Sequence, residues 1–370
     1  MKILFLGDIC PTDDYRELFD DISGKALFHD LKKAIDDADF SICNFECPAT
    51  NETRAIKKCG PSLKAKPQDL VMLKNAGINA VSLANNHILD YGVKGLRDTL
   101  ENCENYGISY FGIENEGQKE NDRLLLTKDG ETVTIFSFAE EEFNYQKTTS
   151  TGAVKFDPYE DFDKIREAKK KGKVIVLYHG GIEYYRYPSP LLRKKCLKMV
   201  EAGADLVLCQ HSHIIGTMEQ VGDAFILYGQ GNSIFGYRES SNSWNQGLIV
   251  LFDTQSGTFL DVIEAKKDGV YKAAEDSRIK VLAEMKTLSN GWTADFIELE
   301  WEKFCSEKKA LYYPMLYGKG RVFNKCNRLT KNKLVDLFFN KKKKMVTMNL
   351  IRCDSHNEVV TKLLEKDYVE

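Results

Sequence analysis

Residues that can do chemistry stand directly after short apolar runs in this chain, and no other feature constrains its fold as much. Residues 80–83 are followed by Ala84-Asn85-Asn86-His87, after which Asp90, Tyr91 and Gly92 lead into a helical stretch. Residues 2–6 deliver Gly7-Asp8, and residues 40–43 deliver Asn44-Phe45-Glu46. Residues 173–177 run into Tyr178-His179, and residues 205–209 into Gln210-His211-Ser212-His213. Short apolar, often β-branched runs bounded by turn residues read as buried strands. In α/β sheets, ligands bind just past the carboxyl ends of strands. One such cluster reads equally well as an Asx-turn with a capping Asn and an exposed His. Five of them, holding four of the six His residues, are harder to explain by packing, because buried acids and imidazoles without partners are costly.

Between these runs the sequence alternates. Helical spacing covers 27–38, 62–76 from the Pro67 turn onward, 93–106, 161–171 and 190–202, with Gly77, Gly107 and Gly203 at three of the stops. Residues 124–126 and 133–138 flank Lys128-Asp129-Gly130, a hairpin signal. The polar segment 140–152 lacks periodicity and reads as a loop. Strands at 225–228 and 248–252 enclose the turn Gly229-Gln230-Gly231-Asn232. This order allows either a doubly wound sheet or a sandwich of sheets flanked by helices. After Asp268-Gly269, another hairpin signal, the pattern turns helical from Glu275, with aromatics spread through it. Two parts are therefore expected, 1–255 and a mainly helical extension over 256–370, which reads as a partner surface or as a lid. The basic run 341–344 in that extension reads as a solvated helix face or as a contact for an anionic membrane or polyanion.

A net charge of −3 supplies no general pull toward nucleic acid or anionic surfaces. No window reaches the roughly 18 apolar residues of a membrane span. The N-terminal apolar run is shorter than the roughly 7–15 residues of a signal-peptide core and reads as a first strand. Ten Cys without a C-x-x-C pair suit a reduced, cytoplasmic chain.

Imidazole, carboxylate and amide oxygen without a thiolate cluster suit Mn, Fe(II) or Zn in a catalytic site. About six or seven ligands exceed one tetrahedral ion and suit a two-metal site, of the kind whose ions stand about 3.5–4 Å apart in hydrolases of phosphate esters; one or two divalent ions per chain are expected.

The ordered series Gly7-Asp8, Asn44-Phe45-Glu46, Ala84-Asn85-Asn86-His87 with Asp90-Tyr91-Gly92, His179-x-Gly181-x-Glu183-Tyr184 and Gln210-His211-Ser212-His213 resembles the CapA family. Those are capsule or poly-γ-glutamate biosynthesis proteins with a calcineurin-like metallophosphoesterase fold. Leu227-Tyr228-Gly229-Gln230-Gly231-Asn232 resembles the family's closing motif. The resemblance runs from residue 1 to about residue 252 and implies a four-layer β-sandwich flanked by helices. It implies Asp8, Glu46, Asn86, His179, His211 and His213 as metal ligands and His87 as the group beside the departing oxygen. Asn44, Asn85, Glu183, Tyr184 and Asn232 are the expected substrate contacts, with a structural salt bridge or cap as the other reading of Glu183.

Two departures stand out. Metallophosphoesterases generally begin D-x-H, and Cys10 occupies that His position here. Their G-D-x-x-D motif is replaced by Asn44-Phe45-Glu46. One ion is then expected to bind more weakly. The resemblance supports a two-metal phosphoesterase acting on an anionic polymer precursor or other phosphoester. The alternative is a non-catalytic, metal-containing accessory protein that binds a polyanionic polymer or a synthase partner.

Overall fold

The computed structural model describes residues 1–316, 320–330, 333–338 and 340–369. Two compact units make it up, Met1–Ile297 and Glu298–Glu370.

The first unit opens with β1 (Lys2–Ile9), then α1 (Arg16–Asp20), α2 (Lys25–Phe28) and α3 (Leu31–Asp36). Next come β2 (Phe40–Phe45), α4 (Pro67–Asn75), β3 (Ala80–Ser82), α5 (Gly92–Tyr106) and β4 (Ser109–Phe111). Six strands follow: β5 (Ile113–Asn115), β6 (Gln118–Asn121), β7 (Arg123–Lys128), β8 (Glu131–Ala139), β9 (Tyr145–Gln146) and β10 (Thr151–Ala153). After α6 (Asp161–Lys169) come β11 (Lys173–His179), α7 (Pro190–Ala202) and β12 (Leu206–Gln210). The unit continues through β13 (Met218–Val221), β14 (Ala224–Leu227), β15 (Asn232–Ile234), β16 (Gln246–Asp253), β17 (Gly257–Lys266), β18 (Gly269–Lys272) and α8 (Glu275–Ser289).

One sheet runs β18-β17-β16-β1-β2-β3-β4, with β15 paired to the end of β1; another runs β13-β14-β12-β11-β8-β7. Period-two alternation along β1 shows how they stack. Ile3 and Phe5 enter a core shared with Leu177, Leu208 and Val250. Leu4 and Leu6 face the opposite way, toward Ile35, Leu70 and Leu96 of the helices. On the second sheet Val174, Val176 and Val207 pack against Ile165 and Met199. Three cores thus separate four layers, helix, sheet, sheet and helix. The two sheets pack face to face, with α8 adding Val281 and Met285 to the core between them, so of the two architectures the sequence allowed the fold is the sandwich.

Parallel pairing of β1 with β2, β2 with β3, and β11 with both β8 and β12 sends several carboxyl ends toward one edge. Gly7 lets β15 reach that edge: a Cβ there would lie 2.3 Å from the Gly231 carbonyl oxygen. Asn232 is thereby brought level with Asp8.

Three local features differ from the sequence pattern. The helix expected over 27–38 breaks at His29, whose φ is +36°. The His29 ring stacks on Tyr271 and its Nε2 lies 2.9 Å from the Asp268 carbonyl oxygen, so a tertiary contact overrides helical propensity. Segment 140–152, expected as a loop, contains β9 and part of β10, which join a small sheet with β5 and β6. Strands of two and three residues are too short to leave a periodic signal. The first unit also continues beyond residue 255, because β17 and β18 extend its first sheet.

The second unit is helical in its described residues: the greater part of α9 (Ala294–Leu316), then α10 (Arg321–Leu329), α11 (Lys333–Phe338), α12 (Lys341–Arg352) and α13 (Asp354–Val369). Among the described residues no helix is long and apolar enough to cross a membrane.

Candidate metal centre

The strand ends converge. Asn44 Nδ2 donates to Asp8 Oδ1 at 2.8 Å and lies 3.2 Å from His179 Nδ1. His179 Nε2 is 3.0 Å from Asn86 Oδ1 and 3.5 Å from Glu46 Oε1. The His211 backbone N–H donates to Asp8 Oδ2 at 3.2 Å, and His213 Nδ1 stands 3.8 Å from the same oxygen. His211 and His213 both have positive φ, +84° and +56°. Such strain in non-glycine residues persists only where the surroundings enforce it; here it accompanies two rings turned toward one cluster.

Two overlapping sets bring ligand atoms within 4.8 Å of one another: Glu46, His179 and His211, and Asp8, Glu46 and His213. Glu46 belongs to both. It is fully buried, yet neither carboxylate oxygen makes a hydrogen bond, and His211 Nδ1 is likewise without one. Buried polar atoms are almost always paired, and a divalent cation would satisfy these three together. The residues therefore fit the metal that the sequence implies, and their imidazole, carboxylate and amide donors suit Mn, Fe(II) or Zn.

The electrostatics agree. Burial, reinforced by the charge of Glu46, pushes the Asp8 carboxyl up to about 8; burial, with the charges of Glu183 and Asp90 adding to it, takes Glu46 to about 8. Burial also drives His213 down to about 3 and holds His179 low, while His211 lies well below its usual range, with neighbouring imidazoles adding to the effect. Neutral imidazoles keep a lone pair for a cation, and the two carboxyls hold protons until a cation displaces them. Chelator-treated protein should consequently lose stability as pH rises from about 6.5 to about 8. Below about pH 6.5 the three histidines, neutral in the folded state and charged in the unfolded chain, oppose this trend; above it the folded state binds more protons than the unfolded chain, so the slope is negative, up to about 1.4 kcal/mol per pH unit for each carboxyl. Thermal melts across the window test this, and excess Mn²⁺ should reverse the trend. A metal-free protein that gains stability over the same range would contradict it.

His87 stands apart from these ligands. Its Nδ1 is 2.7 Å from Asp90 Oδ2, an oxygen that also accepts the Leu63 backbone N–H at 2.6 Å. The other Asp90 oxygen accepts from Lys58, whose ammonium is 3.1 Å from His87 Nδ1. Lys58 and Asp90 are only 4% and 1% exposed. This anchoring engages Nδ1 and leaves Nε2 as the nitrogen that can serve a reactant.

Asn44, Asn85 and Asn232, expected as substrate contacts, are buried with their amides engaged internally. Asn85 brackets the site by donating to the Phe45 carbonyl at 2.9 Å and accepting the His87 N–H at 3.1 Å. Asn232 Oδ1 lies 2.9 Å from His213 Nδ1, and its Nδ2 donates to the Trp244 carbonyl at 3.1 Å. Glu183 and Tyr184 do lie at the exposed rim. Tyr184 stacks on Trp244 at 5.9 Å, and its hydroxyl accepts from Arg238 at 3.3 Å. Cys10 is buried in the helix-side core beside Cys47.

Sequence reasoning passed over Lys58, Glu142, Arg238 and Trp244. Glu142 accepts from Asn86 Nδ2 at 3.2 Å. Lys58 and Glu142 come from stretches without periodicity, well separated in sequence from the Asn85–His87 motif, so no local signal marks them.

A four-layer sandwich with carboxylate, amide and imidazole groups at its strand ends is a metallophosphoesterase-like architecture. The model of the bacterial capsule synthesis protein PGA_cap family matches residues 2–237, and the chain belongs to that family. It is 27% identical over 276 residues to the capsule biosynthesis protein CapA of Bacillus anthracis, covering 71% of this chain and 66% of that one. It is also 27% identical over 239 residues to the PGA biosynthesis protein CapA of Bacillus subtilis (strain 168), covering 62% of each. Both matches span just under two thirds of the relative's length. Among solved structures, a novel phosphatase from Mycoplasma pneumoniae superposes with a TM-score of 0.46 at 14% identity, over 73% of this chain and 94% of that chain.

Proposed function

We propose that this chain is a metal-dependent phosphoester hydrolase serving capsule or poly-γ-glutamate synthesis. Its substrate would be an anionic polymer precursor or another phosphoester, and envelope-polymer synthesis proteins its partners. The observation that supports this reading best is Glu46, buried without a hydrogen bond and common to both ligand sets. Asp8, Glu46 and His213 would hold one divalent ion; Glu46, His179 and His211, with Asn86, the other. Ions held there would draw charge from phosphoryl oxygens and acidify a water for attack. Nε2 of His87 would give a proton to the departing oxygen, while Asp90 and Lys58 hold the ring. Asn44 and Asn232 would orient the His179 and His213 rings, as outer partners of metal-binding imidazoles do.

Cys10 favours a second reading. Its thiol lies in the core, so the Asp8 set lacks the ligand that a His at this position would add, and a chain with one ion could serve as a non-catalytic accessory protein. Elemental analysis of the purified protein, followed by a panel of phosphoesters in Mn²⁺, separates the two. One to two ions with turnover is the expected result. Bound metal with no turnover on any ester would leave the accessory reading, and absence of bound metal after Mn²⁺ loading would overturn both.

A further inference from the structure

The second unit carries a charge pattern that the metal centre does not explain. Between residues 319 and 352 eleven Lys and Arg stand against one acid, Asp336, in a chain whose net charge is −3. Within α12 there are five cations and no acid. Its first turn consists of lysines, capped by the Asn340 side chain, which accepts the Lys343 N–H at 3.1 Å. Cations at a helix N-terminus oppose the helix dipole, so this placement does not serve the helix itself.

Apolar groups share the same face. At 3.6 residues per turn, Lys341, Lys344, Met345, Met348, Ile351 and Arg352 fall within an arc roughly 120° wide. Met345 is 52%, Met348 47% and Ile351 54% exposed, and Lys341 and Arg352 are exposed at the two ends. A second instance occurs on α10, where Lys325 and Arg328 are exposed beside Val322 and Leu329, themselves 77% and 86% exposed.

We propose that this basic, apolar-studded face of α12 docks the protein on an anionic lipid bilayer, lying in the headgroup region. A bilayer surface takes both halves of the pattern. Headgroup phosphates meet the cations, whose alkyl stems extend along the interface, and the acyl boundary receives Met345, Met348 and Ile351. A soluble polyanion would match the charges and leave those three side chains in water. A second copy of this chain would oppose like charges across a two-fold axis. The proposal stands independently of whether the metal centre turns over.

Sedimentation of the full chain with vesicles tests it. Binding is expected to vesicles of phosphatidylcholine mixed with phosphatidylglycerol and not to phosphatidylcholine alone, and it should weaken with salt. Replacing Lys341, Lys344 and Arg352 together by Gln should weaken binding at least about tenfold, whereas replacing Lys341 and Lys344 by Arg should preserve it. Replacing Met345, Met348 and Ile351 by Ser should also weaken binding and remove what survives at high salt. Helix content from circular dichroism, matched to wild type, shows that each variant is folded. Equal binding to both vesicle types, no binding to either, or an unaffected Ser variant would overturn the proposal. The last result, together with competition by soluble poly-γ-glutamate, would assign the face to a polyanion instead, and a dimer that forms only with the wild-type face would assign it to a second copy.

Discussion

Glu46→Gln should remove both bound ions and lower any phosphoester turnover by more than the roughly 10–100-fold typical of outer-shell changes. Gln has nearly the same volume, so the substitution opens no cavity. It replaces a carboxylate able to bridge two ions with a neutral amide that offers one oxygen. Both ligand sets contain Glu46, so both should fail together. His213→Ala, by contrast, touches only the set with Asp8 and should leave about one ion. Stability separates this from simple damage. Metal at a hundred times its dissociation constant stabilises the native state by about 2.7 kcal/mol, and the variant should lose that increment. Its metal-free form should nevertheless match or exceed wild type at pH 8, because it no longer buries a carboxyl that ionises near there. Wild-type metal content in Glu46→Gln would refute the shared-ligand assignment, whatever happens to activity.

How far the sequence revealed this site depends on where each residue comes from. Asp8, Glu46, Asn86, His179, His211 and His213 follow short apolar runs that read as strands, and parallel pairing places the ends of such strands together. The Asp129-Gly130 turn was legible for a similar reason: both residues have positive φ, as a tight hairpin demands. Lys58 was not legible, because it reaches Asp90 from an irregular stretch whose path depends on tertiary contacts. The buried asparagines show another limit. Residue type indicated polar groups at the strand ends, but not whether an amide faces a substrate or holds a neighbouring ring. That is decided by register: Asn232 lies level with Asp8 because β15 pairs with β1. The break at His29 and the short β9 and β10 arise from partners distant in sequence, which local periodicity does not encode.

His87 should be separable from the metal ligands by its dependence on the leaving group. Asn86 Oδ1 faces His179, while His87 Nδ1 faces Asp90, so neighbours in sequence have different partners. With Nδ1 engaged, Nε2 is the nitrogen free to protonate a departing oxygen. General acid catalysis is worth about 10²–10⁴ in rate when the leaving group needs a proton. An alkoxide needs one; a nitrophenolate hardly does. His87→Ala should therefore keep its metal, lose about that factor in kcat/KM on alkyl phosphoesters, and lose far less on a nitrophenyl ester. Lys58→Met should show the same selectivity in weaker form. Lys58 meets Asp90 and lies against the Nδ1 side of the ring, so its loss loosens the imidazole's support and leaves the proton donor in place. Equal losses on both esters would make His87 structural, and loss of metal with activity would make it a ligand. A Lys58→Met enzyme that discriminates between leaving groups as wild type does would show that Asp90 and the Leu63 amide suffice to hold the ring.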